Sequence, residues 1–365
     1  MEEQKSTHRV EVVPVELLPH LNAETLSIVR VWGYQVVVKT AEWQDRRLRA
    51  YAPPDSVLPD TPEFAWIHGC EVGTAPPQKR RIKARRFRGE WSQGVLLPVP
   101  EGAAVGEDVA GRLGIVHYDP PEISTLTRAG AERMRRGLWP RSLKGWLYFL
   151  FVNPLRWLGL VPVTQAYREA GPDELYPKYD VDSWYRYKYL LCAGEEVVVT
   201  EKIHGSNARY VFEGGRMYCG SRTEWKRRGP NVWWQALAAN LWIEEFCRAN
   251  PGTALYGEVV PTQDLKYGFR SDKPGLFLFD VRRDGRWLNW DEIDAGLKRE
   301  RWVPIVAAGP YCEEMISSNA DGKSLVYGAD HVREGVVVRP ATERRDRVFG
   351  RVQMKAVSNA YLERA

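Results

Sequence analysis

The sequence predicts an α+β protein of two domains, a small β-barrel followed by antiparallel sheets with helices. Three observations carry that prediction. At about 100–200 residues per domain, a 365-residue chain makes two domains with room for a connector. Its first third consists of short β-rich runs punctuated by Gly and Pro, whereas its second half interleaves apolar strand-like runs with a helical stretch. Hydrophobic residues make up 44% and charged residues 27% of the chain, which excludes collagen-like, low-complexity and disordered classes.

Residues 1–120 supply the barrel. TLSIVRVWGYQVVVK (25–39) holds two β runs broken at Gly33, an alternating stretch follows at 81–87, and GVLLPV lies at 94–99. Several short strands with turns between them favour a barrel or sandwich, and within that class an OB-like barrel that binds nucleic acid is expected. KRRIKARRFR (79–88) holds seven basic residues, Lys79, Arg80, Arg81, Lys83, Arg85, Arg86 and Arg88, and no acid. Alternation sets Ile82 and Ala84 on one face and Arg81, Lys83 and Arg85 on the other. Such charge can protect a strand edge. Seven like charges in ten residues also repel one another, and that density favours a track for the phosphates of an anionic partner.

Residues 121–175 read as a basic and apolar connector. Pro120 and Pro121 close the first domain, and 128–144 carries six basic residues and one acid. GWLYFLFVNPL (145–155) is the longest apolar tract, and its eleven uncharged residues fall short of the roughly 20 that a bilayer crossing takes. A buried helix or packed linker is expected there, with interfacial membrane contact through Trp146, Tyr148 and Phe149 as the lesser alternative. The N-terminal stretch MEEQKSTHRVEVV has no apolar core, so no secretory signal is expected. Cys70, Cys192, Cys219, Cys247 and Cys312 lie at least 27 residues apart without a CxxC pair. Neither a thiolate zinc site nor a disulfide framework is expected, and a cytoplasmic location fits. The net charge of +5 permits a nucleic-acid partner without arguing for one. Most of the 15 Trp, 17 Tyr and 10 Phe are expected in the core, because aromatic rings bury large apolar areas.

Residues 176–365 form the second domain. EEVVVTEK (195–202) reads as a strand with ARYVFE (208–213) as its neighbour, and LYGEVV, GLFLFDVR, EGVVVRP and RVQMKAV as further strands. VWWQALAANLWIEEFCRAN (232–250) reads as one helix, with Trp234, Leu237, Leu241 and Phe246 at apolar spacing and Asn250-Pro251 closing it. Charged residues stand at the edges of these runs. Lys202, His204 and Asn207 follow the first; then come Arg222, Glu258, Asp280, Glu334 and Lys355. A carboxylate so placed can hold Mg²⁺ or a ribose hydroxyl, and a lysine or arginine can neutralise phosphate. A lone lysine at a strand end is ordinarily solvated. To act as a nucleophile it must shed a proton against an ordinary pKa of about 10.4, through desolvation, neighbouring positive charge or a metal.

This ordered set resembles the covalent nucleotidyltransferase superfamily of ATP-dependent ligases and capping enzymes, closest to its RNA ligase branch. EKIHGSN (201–207) resembles motif I, GSR (220–222) motif Ia, YGE (256–258) motif III, FLFD (277–280) motif IIIa, REGVVV (333–338) motif IV and QMK (353–355) motif V. QDLKYG (263–268) and KAVSNAYLER (355–364) are similar to RNA ligases as well. RRFRGEWSQGVLLPVPEG with LGIVHYDPPE is similar to the Deinococcus-type RNA ligases that carry an N-terminal OB domain.

The resemblance implies a nucleotidyltransferase fold for 176–365 and a set of roles. Lys202 would attack the α-phosphorus of ATP, release pyrophosphate and hold AMP. Glu258 would bind the ribose, with a lesser part at the metal, and Phe279 would stack on adenine. Glu334 would organise Mg²⁺ or Mn²⁺, through water or directly, and Lys355 would contact the α-phosphate. Arg222 and Asn207 match positions that act on the ribose or on the RNA ends. The adenylate would pass to a 5′-phosphate on nicked or duplexed RNA, and a 3′-hydroxyl would displace AMP, in the course of RNA repair.

His204 stands where many DNA ligases carry Asp, as a neutral donor or core histidine rather than a base. Gln353 fills a motif V position that is Lys in many relatives, so that either Lys355 suffices or Arg351 compensates. The chain ends ten residues after Lys355, whereas DNA ligases and capping enzymes continue into a C-terminal OB domain; an accessory domain in front is the expectation. A monomer needing neither zinc nor a membrane is expected. The alternatives are a DNA ligase, a capping-type guanylyltransferase, or an inactive RNA-binding relative.

Overall fold

The computed structural model of the chain describes residues 8–43, 47–69, 71–118, 168–229 and 231–364. The basic segment 128–144, the apolar tract 145–155 and Cys70 lie outside the described residues.

The N-terminal domain is built from short antiparallel strands. β1 (Glu11–Pro14), β2 (Leu26–Val31), β3 (Tyr34–Lys39) and β4 (Leu48–Ala52) precede β5 (Ala84–Phe87), β6 (Glu90–Gln93) and β7 (Val95–Leu97). β4 pairs with both β1 and β7, while β2–β3 and β5–β6 are hairpins. The first hairpin turns at Trp32 and Gly33, where the sequence breaks its two β runs; Trp32 takes a positive φ of 53°. In β3, Tyr34, Val36 and Val38 point inward, the period-2 pattern of a half-buried strand. Side chains join the hairpins: the Val37 amide donates to Ser92 Oγ (3.1 Å) and Gln35 Nε2 to the Trp91 carbonyl (3.1 Å).

The basic stretch is not one strand. Pro77–Arg80 forms a helical turn, Arg81 makes an isolated bridge to Val57, and only Ala84–Phe87 is strand. Its alternation holds nonetheless, with Ile82 and Ala84 buried and Lys83 and Arg85 on the other side.

The second domain carries two sheets. Its strands are β8 (Glu196–Glu201), β9 (Ser206–Glu213), β10 (Arg216–Gly220), β11 (Thr253–Val260), β12 (Gly275–Arg283), β13 (Ile305–Pro310), β14 (Gly335–Pro340) and β15 (Met354–Val357). One sheet centres on the order β10–β9–β11–β12, the other on β15–β14–β8–β13. β8 and ARYVFE were expected to be neighbours, but they lie in different sheets: β8 pairs with β13 and β14, β9 with β10 and β11. The chain crosses between sheets at 202–205. Gly205 allows the crossing, because a Cβ there would meet the Val259 carbonyl oxygen at 2.4 Å. Strand Arg168–Glu169, inside the expected connector, pairs with Trp225–Lys226 and so belongs to the larger sheet.

The expected helix at 232–250 is two helices, α1 (Val232–Ala239) and α2 (Trp242–Ala249). Asn240 ends the first with φ −129°, and its side-chain amide donates to the carbonyls of Ala236 (2.7 Å) and Pro274 (2.9 Å). Leu241, counted in the apolar stripe, is exposed as a result. Both helices pack on the larger sheet, where Trp233, Leu237, Ile243 and Cys247 join Tyr210, Leu255 and Leu278 in the main core. A last helix, α3 (Asn359–Arg364), buries Tyr361 and Leu362.

The two domains are joined by built contacts. The Gly33 amide donates to the Tyr185 carbonyl (2.8 Å), Tyr34 Oη meets Ser183 Oγ, and Gln93 Nε2 donates to Asn359 Oδ1 (2.7 Å). Arg186 pairs with Glu11 and lies 3.8 Å over the Trp32 ring. A Cβ on Gly33 would stand 2.6 Å from the Tyr185 oxygen. Gly33→Ala is therefore expected to cost about 1–3 kcal/mol, the range for overpacking a tight contact. Urea unfolding followed by tryptophan fluorescence should show a lower midpoint, and an unchanged midpoint would contradict this docking.

Candidate active site

The crossing at 202–205 places Lys202 at the floor of a cleft of about 1420 Å³ between the domains. Lys202 Nζ donates to Glu334 Oε1 at 2.6 Å, tying the end of β8 to the residue before β14. The other carboxylate oxygen, Oε2, lies 3.2 Å from His204 Nδ1. Across the cleft, Glu258 Oε1 accepts the Gly205 amide (3.1 Å). Asn207 stands opposite Glu258 in the β9–β11 register, and its Oδ1 is buried without a hydrogen-bond partner among the described residues.

Burial and charge set three distinct states here. Burial disfavours the Lys202 ammonium, but Glu334 and then Glu258 outweigh it, and its pKa is raised above the ordinary lysine value. Burial works against the Glu334 carboxylate too, yet Lys202 and His204 hold it down at about 2. Glu258 goes the other way: burial pushes it up to about 7, against the pull of Lys202 and with a further push from Glu334. The resting site is therefore an ammonium–carboxylate pair beside a carboxyl that titrates near neutrality.

Phe279 forms part of the cleft wall, its ring 4.7 Å from Tyr179. Behind it lies a buried polar network. Asp280, with no exposed surface, pairs with Arg339 (3.0 Å) and Arg351 (2.6 Å) and accepts the Tyr179 hydroxyl (2.9 Å). Arg351 also pairs with Glu343 (2.5 Å), and Gln353 Nε2 donates to Tyr179 Oη. Arg351 is thus engaged by Asp280 and Glu343, whereas Lys355 lines the cleft. A lysine in place of Gln353 would add a third cation to two guanidiniums that already use both carboxylates.

Arg222, at the end of the β9–β10 hairpin, and Lys355 line the same cleft. So do Lys79, Arg80, Arg81, Lys83 and Arg85 of the basic stretch, although not all as free charges. Arg81 is paired with Asp55 (2.6 Å), and Arg80 donates to the carbonyls of Ala75 (3.0 Å) and Leu58. Arg86 stands 4.5 Å over Trp91, and Arg88 sits exposed at the hairpin turn; neither lines the cleft. Three contributors escaped the sequence reading. His204 Nε2 meets Asp264 Oδ1 (2.9 Å), the His204 amide donates to Tyr267 Oη (2.9 Å), and Tyr361 Oη lies 3.3 Å from the His204 ring. All three stand inside the stretches QDLKYG and KAVSNAYLER, so a signal was present without a role attached.

Among the described residues no cluster of three or more His, Cys, Asp or Glu side chains forms a metal cage. No described helix is long and apolar enough to cross a membrane.

Residues 195–357 match the RNA ligase family model. The second domain is thus similar to the RNA ligase family over 163 of the chain's 365 residues. Residues 9–99 match an OB-fold domain, which fits the barrel in front of the ligase domain. No curated protein matches the chain. Among solved structures, an RNA ligase of Naegleria gruberi with pyrophosphate shares 23% identity at a TM-score of 0.69, over 97% of each chain. A mutant of that ligase with ATP and Mn gives 22% and 0.69, covering 97% of this chain and 98% of that one. An apo mutant gives 23% and 0.69 over 99% of both. At such identity the likeness speaks for the fold, and it extends through the OB domain as well as the ligase domain.

Glu258 provides a test of the site's electrostatics. Between its ordinary 4.5 and about 7, the folded chain binds a proton that the unfolded chain releases. Its stabilising contribution is thus present below pH 4.5 and lost as pH rises through about 7. Glu258→Gln should gain stability relative to the parent as pH goes from 5 to about 7.5. Parallel stability profiles in denaturant would contradict the assignment.

Proposed function

We propose that the protein is an ATP-dependent RNA ligase that joins 3′-hydroxyl and 5′-phosphate ends through an AMP adduct on Lys202. The observation that carries this reading is convergence. Lys202, Glu258, Phe279, Glu334 and Lys355, spread over more than 150 residues, line one cleft.

In the first step, Lys202 Nζ forms a bond to the α-phosphorus of ATP, the bond to the β-phosphate oxygen breaks, and pyrophosphate leaves. Nζ must first give up its proton. In the resting site Glu334 holds it as an ammonium, so binding of the nucleotide has to break that pair. Phe279, backed by Tyr179, offers a flat apolar face for adenine. Glu258 and the unused acceptor Asn207 Oδ1 suit the hydroxyl donors of a ribose. Lys355 supplies positive charge for the α-phosphate.

Both Glu334 oxygens are already engaged by Lys202 and His204, and the carboxylate is fully charged. That donor set fits a Mg²⁺ or Mn²⁺ that keeps several of its own waters and is held through them, with Glu258 as a lesser contributor. Such an ion, when bound, neutralises charge on the phosphate oxygens. In the later steps AMP passes to a 5′-phosphate, making a phosphoanhydride, and a 3′-hydroxyl oxygen displaces it to form the phosphodiester. Arg222, with Lys79, Lys83, Arg85 and their neighbours, offers cations to the RNA phosphates. The reading takes the enzyme as a cytoplasmic monomer that repairs nicked or duplexed RNA.

The test is sealing of nicked duplexes with ATP and Mg²⁺ or Mn²⁺, using RNA-ended and all-DNA nicks and GTP as a competitor substrate. ATP-dependent closure of the RNA nick is expected, and Lys202→Ala should lose it by more than about 10³-fold, as when a nucleophile is removed. Preference for the all-DNA nick or for GTP would overturn the assignment. RNA binding without closure would mark an inactive relative.

A further inference from the structure

The β5–β6 hairpin holds a feature that the reaction steps above do not use. Phe87, at the end of β5, lines the cleft yet leaves 42% of its surface exposed. The backbone on either side of the turn is fixed. The Phe87 carbonyl meets His20 Nε2 at 3.1 Å, and the Arg88 carbonyl accepts Asn22 Nδ2 at 3.2 Å. At its other end the hairpin is held by Gln93, which donates to Asn359 at the start of α3. The same helix places Tyr361 against His204, two residues from Lys202. The hairpin is therefore a rigid part of the cleft wall, held by the helix that also touches the nucleophile's loop.

Three charges of the same stretch are uncompensated. Lys83, Arg85 and Arg88 have no carboxylate partner among the described residues, unlike Arg81, which has Asp55. Lys83 is pulled below its ordinary pKa, first by burial and then by Arg81 and Arg85. The repulsion calls for an anion, and the exposed ring calls for a flat apolar one. Nucleic acid with an unstacked base supplies both, since aromatic rings take bases regardless of sequence while cations take the flanking phosphates. A base inside a continuous duplex has no free face, so the fitting ligand is an end or a gap.

We propose that the β5–β6 hairpin seats an unpaired terminal base of the RNA on Phe87, with its neighbouring phosphates on Lys83, Arg85 and Arg88. This rests on the ligase reading, and it deepens it: the OB domain holds a strand end by its unpaired terminal base in the cleft that also holds Lys202. Because stacking is tolerant of sequence, the site shows little base preference.

The test uses a short RNA carrying 2-aminopurine at its terminus, titrated against the full-length protein. The parent should change the terminal fluorescence, Phe87→Ala should abolish that change and weaken binding about 5- to 100-fold, the span of one lost base stack. Phe87→Trp should restore both. Lys83→Gln and Arg85→Gln should each lower the salt slope by about one. AMP adduct formation without RNA reports that each variant is folded. Unchanged fluorescence and affinity in Phe87→Ala, or failure of Trp to restore them in a protein that still forms the adduct, would overturn the proposal. Absence of the adduct in the parent would instead count against the ligase reading, while the fluorescence still tests the hairpin.

Discussion

The ion pair between Lys202 and Glu334 is the contact on which the rest of the candidate site depends. It lies where the chain leaves one sheet for the other, and it links the end of β8 to the start of its neighbour β14. The crossing requires Gly205, whose amide in turn orients Glu258 on the opposite sheet. One short loop thereby brings Lys202, the carboxylate of Glu334 that holds it and the carboxyl of Glu258 to one point. Half-buried charges cannot be left alone at such a place, because each needs a partner to remain ionised. The site therefore rests as an ammonium–carboxylate pair.

The OB domain bears directly on this centre. Asp55 neutralises Arg81 and also acts electrostatically on Lys202, while Gly33, Tyr34, Arg186 and Gln93 fix the domain against the ligase domain. Basic residues that look in sequence like a separate binding strand are thus part of the cleft that holds Lys202. The mild net charge of +5 conceals this concentration. What matters chemically is that Lys83 and Arg85 remain uncompensated while Arg80 and Arg81 are spent on the fold.

Much of the candidate site was legible in sequence because its residues stand at the ends of apolar strands, in a fixed order. Lys202, Glu258, Phe279, Glu334 and Lys355 all line one cleft. The sheet assignment of ARYVFE was not legible, since adjacency in sequence suggests a hairpin and nothing local shows a crossing. The break at Asn240 was hidden because its decisive bond is to the distant Pro274 carbonyl. Tyr179, Asp264 and Tyr361 were missed for the same reason, each acting on a residue about 60 to 160 positions away. The Gln353 departure has its explanation only in three dimensions, where Asp280 and Glu343 are already matched by two arginines. Tryptophans such as Trp225 and Trp233 are core, as composition implied, whereas Phe279 and Phe87 line the cleft.

The central claim is that Lys202 is the group that becomes bonded to the nucleotide. Peptide mass mapping of the protein after incubation with ATP and Mg²⁺ tests it most directly. The account predicts the added mass of a single AMP on the peptide containing Lys202, labile in acid as a phosphoramidate is, and removed when RNA ends are supplied. An adduct on another residue, or none in a folded protein that binds ATP, would contradict it.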